Sequence, residues 1–146
     1  MTTRSQISWH LKDHLTNSGC AVPELLTEYL IDLLVSRLDR VDIIPNPSFA
    51  ERYLQLYIKP KISEIVDYAD SVLFFCSLLP EYGRRRGLSM DYYATLGISS
   101  YYAAGDLAAD GRYTQLGNWF YPLQQILTSA VKPGGRVELI SIYKDS

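Results

Sequence analysis

Apolar residues recur at intervals of three and four positions through almost all of the first 130 residues, and proline or glycine stands at the joints between these stretches. Positions three and four apart share one face of a helix, so this spacing is typical of helices that cover a core. The clearest stripe follows Pro23 and consists of Leu26, Leu30, Leu33, Leu34 and Leu38. The pattern therefore predicts an all-α protein, folded as a single-domain bundle of five or six helices.

The joints also predict where each helix begins and ends. We expect helices over about 5–17, 23–40, 48–59, 61–79, 89–107 and 113–130, with Pro122 marking a kink or a break after Tyr121 in the last one. Glycine inside a helix costs about 1 kcal/mol relative to alanine, so Gly97 predicts a close approach of a neighbouring backbone. The third helix is expected to carry one apolar side, made of Phe49, Tyr53, Leu56 and Tyr57.

The residues after Lys132 break the helical pattern. Pro133 and two glycines are followed by Arg136–Tyr143, which is rich in β-branched residues with partial alternation. A strand has no ladder partner inside a helical domain, so this segment either extends as a tail, pairs with a copy of itself or pairs with another protein. We predict a helical domain over residues 1–132 and an extended C-terminal tail over residues 133–146.

Composition and charge narrow the classes of function. With 146 residues the chain is long enough for one domain with its own core. A net charge of -2 argues against a nucleic-acid partner, because phosphate contacts need an excess of basic residues. The longest mainly apolar run, Val72 to Leu79, is interrupted by Ser77 and is far shorter than the ~20 residues that span a bilayer, so no membrane partner is expected. Cys20 and Cys76 lack metal-binding spacing, and the N-terminus lacks a secretory signal, which predicts a cytoplasmic location.

Residue types that carry catalysis or bind metals form no recognisable motif. The chain has no Gly-x-Ser-x-Gly, Walker A or Gly-x-Gly-x-x-Gly pattern. His10 and His14 share a helix face, but no third ligand stands at a suitable spacing. Glu64, Asp67 and Asp70 lack the Glu-x-x-His companion of helical metal sites, so we expect them on a solvated face. We therefore predict no catalytic residue, no metal site and no cofactor, and favour a non-enzymatic protein.

Aromatic and basic side chains are the strongest functional signal. Among twelve tyrosines are two adjacent doublets, and because consecutive helical residues point about 100° apart, each doublet must serve the core and a second face. A run of three arginines precedes the first doublet, can clamp an acidic or phosphate group, and can pair with Asp91. The candidate interaction residues are Arg84, Arg85, Arg86, Asp91, Tyr92, Tyr93, Tyr101, Tyr102, Val137, Leu139, Ile140, Ile142 and Tyr143.

One stretch of the chain resembles known proteins. The sequence Ser77-Leu78-Leu79-Pro80-Glu81, followed by the run from Asp91 to Tyr101, resembles a family of uncharacterised bacterial all-helical proteins over about residues 67–105. The resemblance covers about a quarter of the chain and implies a bacterial source and an all-helical fold. It implies no activity.

These observations favour a non-enzymatic protein–protein interaction or assembly module of a bacterial cytoplasmic system. Its expected partner is another protein chain, and self-association as a homodimer is the first hypothesis, since interfaces are enriched in tyrosine and the strand-like tail lacks a partner. The alternative is a small-molecule or anionic-ligand-binding protein, or a small enzyme. Its tyrosine-lined pocket would lie beside the arginine loop, between the helices of Tyr92 and Trp119.

Overall fold

The computed structural model describes residues 3–18, 21–38, 49–78, 87 and 89–130. These residues form seven helices and no strand, which confirms the all-α prediction for the described part of the chain. The helices are α1 (Thr3–Ser18), α2 (Glu24–Leu38), α3 (Phe49–Ile58), α4 (Ile62–Leu78), α5 (Met90–Ala108), α6 (Gly111–Asn118) and α7 (Phe120–Ala130). None of these helices is long and apolar enough to cross a membrane.

The prediction of five or six helices is not confirmed, because the last predicted helix is divided into α6 and α7. The division falls at Trp119, ahead of Pro122 and not after Tyr121. Proline has no backbone N–H to donate four residues back, so a continuous helix would leave the carbonyl of Asn118 without its partner. With the chain restarted at Phe120, Pro122 lies in the first turn, where a missing N–H is tolerated.

Helix α4 lies at the centre of the bundle. Ten of its residues are buried, including every residue from Val72 to Leu78. Helix α5 runs antiparallel to it, as Val72 lies against Gly97 while Asp70 is bonded to Tyr101. Helix α7 is fastened to the end of α4 by Thr128, whose hydroxyl donates to the carbonyl of Ser77 at 2.7 Å. Burial on all sides makes α4 the element against which the others are placed.

The close approach predicted at Gly97 is confirmed, and the neighbour is a ring, not a backbone. A Cβ at Gly97 would lie 2.8 Å from Cε2 of Phe120 and 3.0 Å from Cγ1 of Val72. Both neighbours are fully buried and cannot withdraw into solvent. A second glycine of α5, Gly105, admits the backbone of α6, whose Thr114 amide nitrogen would lie 3.1 Å from an added Cβ. The small residues of α5 therefore serve packing within this chain.

Several predictions from the sequence lie outside the described residues. These are the three-arginine run at 84–86, the division between a domain over 1–132 and a tail over 133–146, and the strand-like segment at 136–143.

Adding a methyl group at Gly97 should destabilise the protein. In Gly97→Ala the Cβ must displace the Phe120 ring or Val72, and overpacking of this kind costs about 1–3 kcal/mol, which exceeds the helix preference of alanine. Gly111→Ala is the matched control, because nothing lies within 4 Å of a Cβ there. We expect urea denaturation to show a free energy of unfolding lowered by about 1–2 kcal/mol for the first variant only. Equal stability of the two variants would contradict this packing.

Candidate functional site

The tyrosine doublets of α5 divide as their 100° offset predicts. Tyr93 and Tyr101 are buried, whereas Tyr92 and Tyr102 are exposed. Tyr93 packs edge-on against Phe75 of α4, with 6.1 Å between the ring centroids. One tyrosine of each doublet thus belongs to the core, and only Tyr92 and Tyr102 present surface.

Tyr102 already has a role within the chain. Its hydroxyl donates to Oδ1 of Asn118 at 2.6 Å, and its ring covers the position where a Cβ of Gly117 would stand. These contacts hold α6 on α5. Asp91 is exposed at the start of α5, and the arginines expected to pair with it lie outside the described residues. The tyrosines and Asp91 therefore do not gather into one site.

Asp70 lies between three helices, although the sequence pattern predicts it on a solvated face. Asp70 of α4 accepts a hydrogen bond from the hydroxyl of Tyr101 on α5 at 2.6 Å and another from Tyr29 on α2 at 2.8 Å, both at Oδ1. Burial raises the pKa of Asp70 from 3.8 to about 6, although the two hydroxyl donors and Arg37 favour the ionised form. The same burial, with the charge of Asp70 beside them, raises the pKa of both tyrosine hydroxyls.

Asp67, one turn earlier on α4, joins a second polar cluster. Its Oδ1 accepts from the Arg37 guanidinium of α2 at 2.8 Å, and its Oδ2 accepts from Arg52 of α3 at 3.2 Å. The Arg37 side chain is almost entirely buried, and this carboxylate is the partner that compensates its buried charge. Arg52 also lies over the ring of Tyr68, 5.8 Å from its centroid. Asp67 therefore ties α2 and α3 to the central helix.

The expectation of a solvated face is wrong for Asp70, whereas Asp67 is partly exposed and Glu64 is exposed. The three carboxylates are evenly spaced along α4 but lie in different surroundings. A usable signal was present in the sequence: Phe74 and Ser77 follow Asp70 by four and seven positions and share its side of the helix. Both are buried, so Asp70 continues a buried line along α4.

Helix α3 carries more apolar surface than its packing covers. At about 100° per residue, Leu56, Tyr53, Tyr57, Leu54 and Ile58 follow one another over about 200° of its circumference. Leu56 is buried and Tyr53 packs on Tyr68, with 6.2 Å between ring centroids. The other three form what we call the α3 stripe, and Leu54, Tyr57 and Ile58 are 60%, 79% and 76% exposed.

The α3 stripe borders an open groove of about 320 Å³ between α3, the start of α4 and the second half of α5. Tyr53, Leu56 and Tyr57 line it from α3, and Leu107 from α5 is itself half exposed. The sequence-based pattern placed Tyr57 on the same side of the helix as Tyr53 and Leu56. The structure shows that only part of that side meets the core, and that Leu54 and Ile58 extend it outward.

The described residues offer little for covalent or metal chemistry. Burial raises the pKa of Cys76 to about 12, so its thiol stays protonated at neutral pH. No group of three histidine, cysteine or acidic residues in the described part of the chain is placed to hold a metal ion. What the geometry offers is an apolar surface on α3, held in place by the polar contacts of Asp67.

No protein-family model, curated protein or solved structure matches this chain. The resemblance of residues 67–105 to a bacterial family therefore stays a prediction.

Asp70 should make stability depend on pH in a direction opposite to that of most carboxylates. Its pKa is higher in the folded protein than in the unfolded chain, so the unfolded chain loses the proton first as pH rises. The free energy of unfolding should fall from about pH 4 to pH 6 and stay reduced above that, by up to about 3 kcal/mol. Asp70→Asn keeps Oδ1 as acceptor for both tyrosines and should remove this fall.

The measurement is urea denaturation of both proteins between pH 4 and pH 8. Asp106→Asn, which removes an exposed carboxylate of α5, controls for the change in net charge. Parallel stability curves for the wild-type protein and Asp70→Asn would contradict the assignment.

Proposed function

We propose that the protein is a non-enzymatic interaction or assembly module of the bacterial cytoplasm, which binds other protein chains, copies of itself included, through the α3 stripe. The observation that carries the proposal is the orientation of α3. Arg52 and Leu56 hold one side of the helix on the bundle, while Leu54, Tyr57 and Ile58 point away from it. Large apolar side chains grouped on one exposed face are typical of protein-binding surfaces.

The polar surroundings of the stripe support the same function. Glu51 and Gln55 are exposed on α3 beside the apolar face, and Lys59 is exposed directly after the end of the helix. An apolar centre with a charged and polar rim is the usual composition of a protein interface. Tyr57 contributes a large ring at the boundary between stripe and groove, and tyrosine is among the residues enriched at interfaces. Among the sequence-based candidates that the structure describes, Tyr92 is half exposed and also offers its ring to a partner.

A second candidate function is the binding of a small apolar ligand in the groove. The size and the apolar lining of the groove favour it. Its volume of about 320 Å³ is at the lower end of the range for ligand sites, and its walls are mainly apolar with Ser99, Ser100 and Asp106 as polar groups. This groove lies beside α3, away from the position between the helices of Tyr92 and Trp119 that the sequence suggested. Ligand binding, if it occurs here, therefore uses a different part of the surface from the predicted pocket.

Making the stripe polar should abolish partner binding and leave the fold intact. We expect the double variant Leu54→Gln, Ile58→Gln to retain the stability of the wild-type protein, because both side chains are mostly exposed. Leu25→Gln on α2 is the matched control, with a leucine that is 49% exposed away from α3. Cross-linking in the source cell, followed by mass spectrometry, should identify proteins joined to the wild type and the control and absent with the double variant.

The proposal fails if the double variant keeps the same cross-linked partners as the wild type. It also fails if the wild-type chain has no cross-linked partner and stays monomeric at high concentration.

Filling the groove distinguishes the second candidate. Ala103 is exposed and lines the groove, so Ala103→Trp would occupy the space without changing the α3 stripe. If the groove holds a ligand, native mass spectrometry of the protein purified from its source cell should show an added mass that Ala103→Trp removes and the stripe variant keeps. An unliganded mass for the wild-type protein would contradict ligand binding.

A further inference from the structure

We propose that two copies of this chain associate through their α3 stripes, with the two α3 helices antiparallel about a twofold axis. The inference rests on the proposed function and names its partner. The two ends of the stripe carry opposite charges, so a second copy turned end to end offers the complementary charge at each end.

The apolar part of the surface is suited to pairing with itself. A twofold axis that crosses α3 between Gln55 and Leu56, at the middle of its apolar surface, brings Leu54 of one copy against Tyr57 of the other. Ile58 then lies near Tyr53 of the second copy, at the entrance of the groove. The apolar residues of each copy are therefore covered by the same residues of the other copy, as in any twofold dimer.

Charge selects the antiparallel arrangement. Glu51 lies on the side of the stripe, three positions before Leu54 and seven before Ile58, at the N-terminal end of α3. Lys59 and Lys61 are exposed just beyond its C-terminal end. Antiparallel pairing brings Glu51 of each copy to the lysines of the other, whereas parallel pairing would place like charges together. Antiparallel helix dipoles favour the same arrangement.

The expected dimer is weak and depends on concentration. Helix α3 has ten residues, about 15 Å of length, so the contact is smaller than a standard protein interface. Exposed ion pairs contribute little free energy, but opposite and like charges determine which arrangement forms. Because the twofold axis repeats every contact between the copies, each charge substitution changes two contacts in the dimer.

Charge exchange tests the inference. In Glu51→Lys the new lysine meets Lys59 and Lys61 of the second copy, and in the double variant Lys59→Glu, Lys61→Glu the new glutamates meet Glu51. Each variant alone should therefore raise the dimer dissociation constant by about tenfold or more. An equimolar mixture restores opposite charges at both ends, so it should form a heterodimer with about the wild-type constant. Sedimentation equilibrium measures the dissociation constants of the two variants and of their mixture. A fluorescent label on one variant identifies the heterodimer.

Asp13→Lys is the matched control, since it makes the same change of net charge at an exposed site on α1, and circular dichroism melts check that each variant folds. Its dissociation constant should equal that of the wild type. The inference is overturned if the wild-type protein is monomeric throughout, if Glu51→Lys dimerises as the wild type does, or if the mixture does not recover association. A monomeric protein whose cross-linked partners still depend on Leu54 and Ile58 would overturn the inference and leave the proposed function standing.

Discussion

The burial of α4 is the constraint on which the remaining structure depends. Seven consecutive buried residues, from Val72 to Leu78, point in every direction around the helix, so no single neighbour can cover them. Helices α2, α5 and α7 must all pack here, and α5 comes close enough only because Gly97 leaves room for the Phe120 ring between the helices. The buried half of α4 is therefore the hydrophobic centre, while its first half, from Ile62 to Asp70, is free to carry polar contacts.

Those polar contacts fix the orientation of the surrounding helices. Apolar packing is nondirectional, and a leucine-lined helix can rotate or slide at little cost. Asp70 removes this freedom for α2 and α5, because its two short hydrogen bonds require Tyr29 and Tyr101 to meet at one oxygen. Asp67 does the same for α3 through Arg52. Burial, which raises the pKa of Asp70, also costs free energy because it removes a carboxylate from water. The burial of the surrounding apolar side chains must offset this cost.

The apolar spacing of the sequence predicts where the helices lie and which side of each helix faces the core. It predicts few of the contacts between side chains of different helices. Six stretches of apolar spacing correspond to described helices, and the doublets at Tyr92 and Tyr101 divide as geometry requires. The sequence pattern predicts a solvated Asp70, because a carboxylate in a helix gives no sign of its partners, which lie 41 residues before it and 31 residues after it. The α3 stripe was missed for a similar reason. A helix with a wide apolar arc does not reveal which part of that arc its own bundle will cover.

The exposure of the α3 stripe is informative because the fold does not require it. Burying a side chain such as leucine, isoleucine or tyrosine contributes about 1.5–3 kcal/mol, so three of them left in water represent stabilisation that the isolated chain does not obtain. A ten-residue helix has little stability of its own and is held by Leu56, Tyr53 and the Arg52–Asp67 pair. Polar residues at 54, 57 and 58 would keep every one of those contacts and lower the risk of aggregation. The proposed function accounts for apolar side chains at these positions, because the surface would become buried when another chain binds.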